Sequence, residues 1–169
     1  GKLHITHISS PKAVDMIIQA KEKKSLDISG GITPHHFIYD WNQMQNEKGL
    51  WWKMNPPLRE PASQEMMLQY LKEGKIDWIE TDHAPHSLRE KTQNPYCSGI
   101  PGLAWWPLFA EFLRQQNFSD QQVADLTFNH AAQRFGLDLS QSNRKLRDRR
   151  ADYPFDPYQK VAQCIGWPR

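Results

Sequence analysis

The sequence has little that would tie it to a special environment. It contains two cysteines in 169 residues. Cys97 and Cys164 lie far apart in unlike contexts, which excludes a disulfide framework and a Cys-x-x-Cys metal knuckle. A reducing, cytoplasmic setting is the expectation. No apolar stretch approaches the roughly 18 residues that would cross a bilayer, and the first residues carry no apolar signal segment, so no membrane partner is expected. Charge of one sign is scarce too. Lys and Arg number 21 against 19 Asp and Glu, a formal net charge of +2. Most of that excess sits in one run, Arg144-Lys145-Leu146-Arg147-Asp148-Arg149-Arg150. Such a run reads as a solvated face or tail, and no nucleic-acid partner is expected. The length suits one well-buried domain but falls short of the about 250 residues of a complete eight-unit β/α barrel.

What is present is a repeated strand-and-helix grammar. Leu3-His4-Ile5-Thr6-His7-Ile8 alternates apolar and polar residues and stops at Ser9-Ser10-Pro11. A serine N-cap, a proline in the first turn and Ala13, Val14, Ile17 and Ile18 then predict an amphipathic helix ending at Lys21 to Lys24. Leu26 to Thr33 reads as a second strand ending at Pro34-His35-His36. Asn42 to Pro61, rich in tryptophan and proline, is too long for a plain connector, and loops of that kind are usually functional. A helix is predicted from Ala62 through Lys72, closed by Gly74, and a third strand from Ile76 to Thr81. After the loop Gly99-Ile100-Pro101-Gly102, helical patterns return over Trp105 to Arg114, Asp120 to Thr127 and Ala131 to Phe135. From Leu137 onward the sequence turns polar and irregular. Because the first strand begins within two residues of Gly1, material upstream is expected.

Parallel β/α units place the C-terminal ends of their strands on one rim, where barrel enzymes carry their chemistry. His7, His35, His36, Asp82 and His86 are therefore expected to face one pocket. Amide hydrolysis needs an activated water, a polarised carbonyl and a proton for the leaving nitrogen. A metal ion supplies the first two, and a carboxylate that touches both metal and water supplies the third. Asp82 is the candidate for metal ligand and general base, and His7 for imidazole ligand. Blander readings stand beside these: Asp82 could cap the next turn, and Pro34-His35-His36 could simply satisfy loop carbonyls. His4 reads as structural, and Trp51-Trp52 and Trp105-Trp106 as packing pairs.

Four segments, Leu3 to Ser9, Thr33-Pro34-His35-His36-Phe37, Lys53-Met54-Asn55-Pro56-Pro57-Leu58-Arg59 and Thr81-Asp82-His83-Ala84-Pro85-His86, resemble successive motifs of dihydroorotase, in the cyclic amidohydrolase superfamily. Gly99 to Leu103 resembles the family's following glycine loop, and Phe128 to Leu137 its Asn-Pro-Ala helix with His130 in place of proline. The likeness covers about residues 3 to 139. It implies an α/β fold, the sixth to eighth units of a TIM (β/α)8 barrel with C-terminal helices. It implies metal binding by His7 and Asp82, proton transfer by Asp82, and substrate contact by Asn55, His86 and the backbone around Gly99. The implied cofactor is zinc, two ions in a complete protein, with other divalent metals suited to the same ligands. The implied reaction interconverts N-carbamoyl-L-aspartate and L-dihydroorotate in pyrimidine synthesis. Asn55 before the prolines and the paired histidines resemble the dihydroorotase form more than the hydantoinase or allantoinase form.

The family's first-strand His-x-His pair, its strand-four bridging residue and its strand-five histidine have no counterpart in these 169 residues. Two ligands do not hold a catalytic metal, so the chain alone is expected to be inactive. It is expected to act with a missing N-terminal half, or as a homo-oligomer. The alternative is an inactive structural partner of another enzyme, for example aspartate transcarbamoylase. Arg59 is expected to pair with an acidic neighbour and hold its loop, and His83 to support. Residues 1–139 read as barrel. Residues 140–169 read as an irregular basic tail, in which Leu146 to Asp152 only loosely resembles the family's return to a small β-domain.

Overall fold

The computed structural model describes residues 1–23, 26–137 and 153–167. Three strands, β1 (Lys2–Ile5), β2 (Asp27–Ile32) and β3 (Trp78–Ile79), form a parallel sheet in the order β1-β2-β3. Leu3 lies opposite Ile28, and Gly31 opposite Trp78. Helix α1 (Pro11–Glu22) crosses from β1 to β2. The connection from β2 to β3 carries α2 (His35–Ile38), two single-turn 3-10 segments and α3 (Pro61–Lys72). After β3 come α4 (Leu88–Thr92), α5 (Trp106–Gln115), α6 (Asp120–Ala124) and α7 (His130–Phe135).

The strands are shorter than the alternation predicts, for a local reason. His7 has φ 54° and Asp82 φ 42°, so the backbone leaves the extended region there and turns onto the rim. Ser10 occupies the N-cap position of α1 and Pro11 its first turn, but the serine hydroxyl makes no capping bond. The two helices predicted over 120–127 and 131–135 are one continuous run, joined by a π-helical turn at Asp125–Asn129.

Two apolar clusters fix the sheet. Val14, Ile17, Ile32, Met67, Leu71 and Leu113 lock α1, α3 and α5 onto the strands. Burying each such side chain is worth about 1.5–3 kcal/mol. The second cluster joins Trp52, Met54, Leu58, Leu108 and Phe109 to Tyr158 and Ala162. Those last two belong to the tail, read from sequence as irregular. It holds a short helix, α8 (Gln159–Cys164), with Tyr158 0% exposed against Phe109, ring centroids 4.8 Å apart. The basic run 144–150, the loosely matched 146–152 stretch and the 139/140 boundary fall outside the described residues. Among the described residues β1 pairs only with β2, and Leu3 and Ile5 on it are exposed. No helix among the described residues is long and apolar enough to cross a membrane.

Candidate active site

The turns after β1 and β3 bring His7 and Asp82 together. His7 Nε2 lies 3.6 Å from Asp82 Oδ1. Beneath them sits Glu80, a residue the sequence reading did not single out. Its Oε2 accepts from the His7 backbone N–H at 3.1 Å and lies 2.9 Å from His7 Nδ1, which makes no directed hydrogen bond among the described residues. Its Oε1 accepts from Trp78 Nε1 at 3.2 Å and pairs with His4 Nε2. His4 in turn meets Ser29 Oγ at 2.9 Å and stacks on Trp78. His4 is thus structural, a floor beneath the rim. Alternation along β3 and the residue after it puts Trp78 and Glu80 on one face, where they bond each other. Burial pushes the Asp82 carboxyl above its usual range, the His7 imidazole opposes this, and the Glu80 charge adds to it.

A second group forms around Ser98 and Gly99. Asn55 Nδ2 donates to Ser98 Oγ at 3.1 Å, and His86 Nε2 lies 3.0 Å from the Ser98 carbonyl oxygen. The Gly99 N–H donates to the Lys53 carbonyl at 3.0 Å. Gly99 has φ +131°, and a Cβ there would stand 2.4 Å from Ala84 Cβ, so only glycine fits. His83 Nδ1 accepts from Gly102 N and Leu103 N at 3.0 and 3.1 Å, a supporting place. Arg59 holds its loop by other means than expected. Its Nε and Nη2 donate to Ser9 Oγ at 3.1 and 3.0 Å, so a hydroxyl beside the His7 turn, not a carboxylate, is the partner.

His35 and His36 do not open onto a shared pocket, contrary to expectation. They are 0% and 3% exposed, because α2 turns them into the protein behind the rim. His36 bridges Thr33 Oγ1 at 2.6 Å and the Pro56 carbonyl at 3.0 Å, and burial lowers its pKa to about 4. Among the described residues neither ring nitrogen of His35 has a hydrogen-bond partner, and burial pushes its pKa far below the usual histidine range. The tryptophans pack as predicted: Trp52 sits edge-on to Phe155 and Tyr39, and Trp105 Nε1 donates to Asp156.

Two donors about 2.0–2.2 Å from one tetrahedral ion stand roughly 3.3–3.6 Å apart. The 3.6 Å between His7 Nε2 and Asp82 Oδ1 fits two positions of such a shell. Among the described residues no three His, Cys, Asp or Glu side chains converge as a metal-holding group.

No family model matches the sequence. Dihydroorotase from Listeria welshimeri serovar 6b is 31% identical over 185 residues, taking in 98% of this chain. Dihydroorotase from Enterococcus faecalis is 36% identical over 140 residues, 79% of this chain and 32% of that protein. By sequence the chain belongs to the dihydroorotase family. It spans 43% of the length of the Listeria dihydroorotase. Among solved structures, dihydropyrimidinase from Brevibacillus agri NCHU1002 matches with a TM-score of 0.68 and 25% identity, over 78% of this chain and 31% of that one. Dihydroorotase from Saccharomyces cerevisiae, solved with 5-fluoroorotic acid, matches with a TM-score of 0.70 over 81% of this chain and 39% of that one. At 15% identity that likeness concerns the fold alone. These neighbours are amidohydrolase TIM-barrel proteins.

Proposed function

We propose that this chain is the C-terminal part of a metal-dependent dihydroorotase that interconverts N-carbamoyl-L-aspartate and L-dihydroorotate in pyrimidine synthesis, in the cytoplasm. The observation that carries the reading is the meeting of His7 and Asp82, from two different strand ends, at 3.6 Å. In it, β1, β2 and β3 are the sixth, seventh and eighth strands of a TIM barrel. Residues 1–139 are barrel and 140–169 the remnant of a flanking β-domain.

His7 and Asp82 would hold zinc or a similar divalent ion, two ions in the complete protein. When bound, such an ion would supply Lewis acidity, activating the attacking water at a pKa near about 7 and polarising the scissile carbonyl. Asp82 takes the proton of the attacking water and returns it to the ring nitrogen as the amide bond breaks; ring closure reverses the path. Glu80, pinned from three sides, holds the His7 turn through its backbone N–H. Asn55 hydrogen-bonds the pyrimidine ring, His86 meets the carboxylate of the substrate, and the backbone at Gly99 lines the ring amide. With two ligands in hand, the chain acts only with the other wall of the site, supplied by a separate portion of the barrel or by a second copy.

The test is turnover of L-dihydroorotate, with metal analysis, by the chain alone and joined to the N-terminal portion of a dihydroorotase. The reading expects activity and bound metal only in the joined form. Metal-free, inactive joined protein would instead make this a structural partner of another pyrimidine enzyme. Preference for hydantoin or allantoin over dihydroorotate would move it to the neighbouring branch of the superfamily.

A further inference from the structure

The buried cation Lys91 has no part in the chemistry above, yet it sits where the substrate-facing segments meet. It is 1% exposed, on the five-residue helix α4. Its Nζ donates to the Lys53 carbonyl at 2.9 Å and to the Gly99 carbonyl at 2.6 Å. The Lys53 carbonyl also accepts from the Gly99 N–H at 3.0 Å, so one ammonium closes a three-way junction. Each arm of that junction leads to a residue of the proposed substrate side. Asn55 stands two positions beyond Lys53. Ser98, which accepts from the Asn55 side chain and faces His86, directly precedes Gly99. His86 directly precedes the cap of α4.

That cap makes the anchor stiff. Ser87 Oγ accepts from Glu90 N at 3.3 Å, and Glu90 Oε2 accepts from Ser87 N at 2.8 Å, a reciprocal pair that fixes the first turn. Burying an ammonium against two neutral carbonyls is costly, and burial together with the Lys53 charge pushes the Lys91 pKa down to about 8. A methionine or leucine would fill the same space without that cost.

We propose that Lys91 is a positioning residue for substrate, fastening the Asn55 loop to the Gly99 loop so that Asn55 and His86 present one fixed arrangement to the ring and its carboxylate. This rests on the substrate assignment above. The donors act through the loops and touch neither metal nor reacting atoms, so their loss weakens binding and spares the chemical step.

The test compares Lys91→Met, which keeps shape and removes the donors, with Lys91→Arg, which keeps donors, in the joined active protein. KM and kcat for L-dihydroorotate and N-carbamoyl-L-aspartate are measured beside metal content and thermal midpoint. The expected result is a KM raised about tenfold or more by methionine for both substrates, kcat and metal within about twofold of the unmutated protein, and most of the loss recovered by arginine. Unchanged KM in folded Lys91→Met, a fall in kcat alone, or equal impairment by arginine overturns the proposal. Should Lys91→Met fail to fold, the 15N resonance of the Lys91 side chain in unmutated protein decides. A shift on saturation with dihydroorotate supports the role, and no shift overturns it. Absence of dihydroorotate turnover in unmutated joined protein is a different result, because it removes the functional reading itself.

Discussion

Glu80 and Gly31 compete for one volume, and that competition can be measured. A Cβ on Gly31 would lie 2.3 Å from Glu80 Oε1 and 2.5 Å from its Cδ. A free glutamate would swing aside at little cost. This one is held by the His7 backbone N–H, by Trp78 Nε1 and by His4, with 15% of its side chain exposed. Displacing it forfeits those bonds, and a buried donor left without an acceptor costs about 1–3 kcal/mol. Gly31→Ala should therefore lose about 2–3 kcal/mol, and Glu80→Ala about 3 kcal/mol through the same orphaned donors. In the double variant the alanine methyl enters space already vacated. It should be no less stable than Glu80→Ala, and gain up to about 1 kcal/mol from the reduced freedom of its unfolded chain. The coupling energy should then reach at least about 2 kcal/mol. Urea unfolding of the four proteins at one fixed concentration, followed by tryptophan fluorescence, measures it. Additivity within about 0.5 kcal/mol would refute the reasoning, because the two sites would then not share a volume.

Three further outcomes follow from named contacts. Gly99→Ala, at φ +131° and against Ala84, should destabilise by more than about 2 kcal/mol and weaken dihydroorotate binding; a variant with unchanged unfolding midpoint contradicts this. His36 is neutral in the folded protein, with a pKa of about 4, whereas in the unfolded chain it protonates near 6.5. Its stabilising effect is therefore full above pH 6.5 and is lost as pH falls toward 4, at up to about 1.4 kcal/mol per pH unit. Urea midpoints from pH 7 to 4.5 should fall less steeply in His36→Gln, and equal slopes would exclude the assignment. Arg59→Met removes both bonds to Ser9 Oγ and should cost about 1–2 kcal/mol in urea unfolding, with slower turnover in the joined protein; Arg59→Lys, limited to one bond, should recover only part.

Much of this was legible because it is local or periodic. The alternation in residues 3–8, the Ser-Pro start of α1 and the apolar spacing of α3 placed three parallel units without reference to any relative. The rim placement of His7 and Asp82 followed from chain direction alone. Glu80 was missed because alternation marks a strand's two faces but not which polar residue reaches across to a neighbour. The clash over Gly31 exists only once β2 and β3 are paired. Lys91 was missed for a similar reason: a lysine in Leu88-Arg89-Glu90-Lys91-Thr92 reads as a solvated helix residue, and its burial depends on Lys53 and Gly99 far along the chain. The Ser87 to Glu90 capping box was a local signal that could have revealed α4. His35 and His36 misled because adjacency to a rim motif does not say which way a turn rotates its side chains. Tyr158 is buried only by long-range packing, which composition cannot reveal.

The central claim is that this chain is one wall of a metal-dependent dihydroorotate site. Its most direct test is a side-by-side measurement of bound divalent metal and dihydroorotate turnover, for the chain alone, for the chain joined to the N-terminal portion of a dihydroorotase, and for the joined form carrying Asp82→Asn. Metal and turnover are expected in the joined protein, turnover is expected to be lost by Asp82→Asn, and neither metal nor turnover is expected in the chain alone. A joined, folded protein that binds metal but turns over dihydroorotate equally well with Asp82→Asn would contradict it.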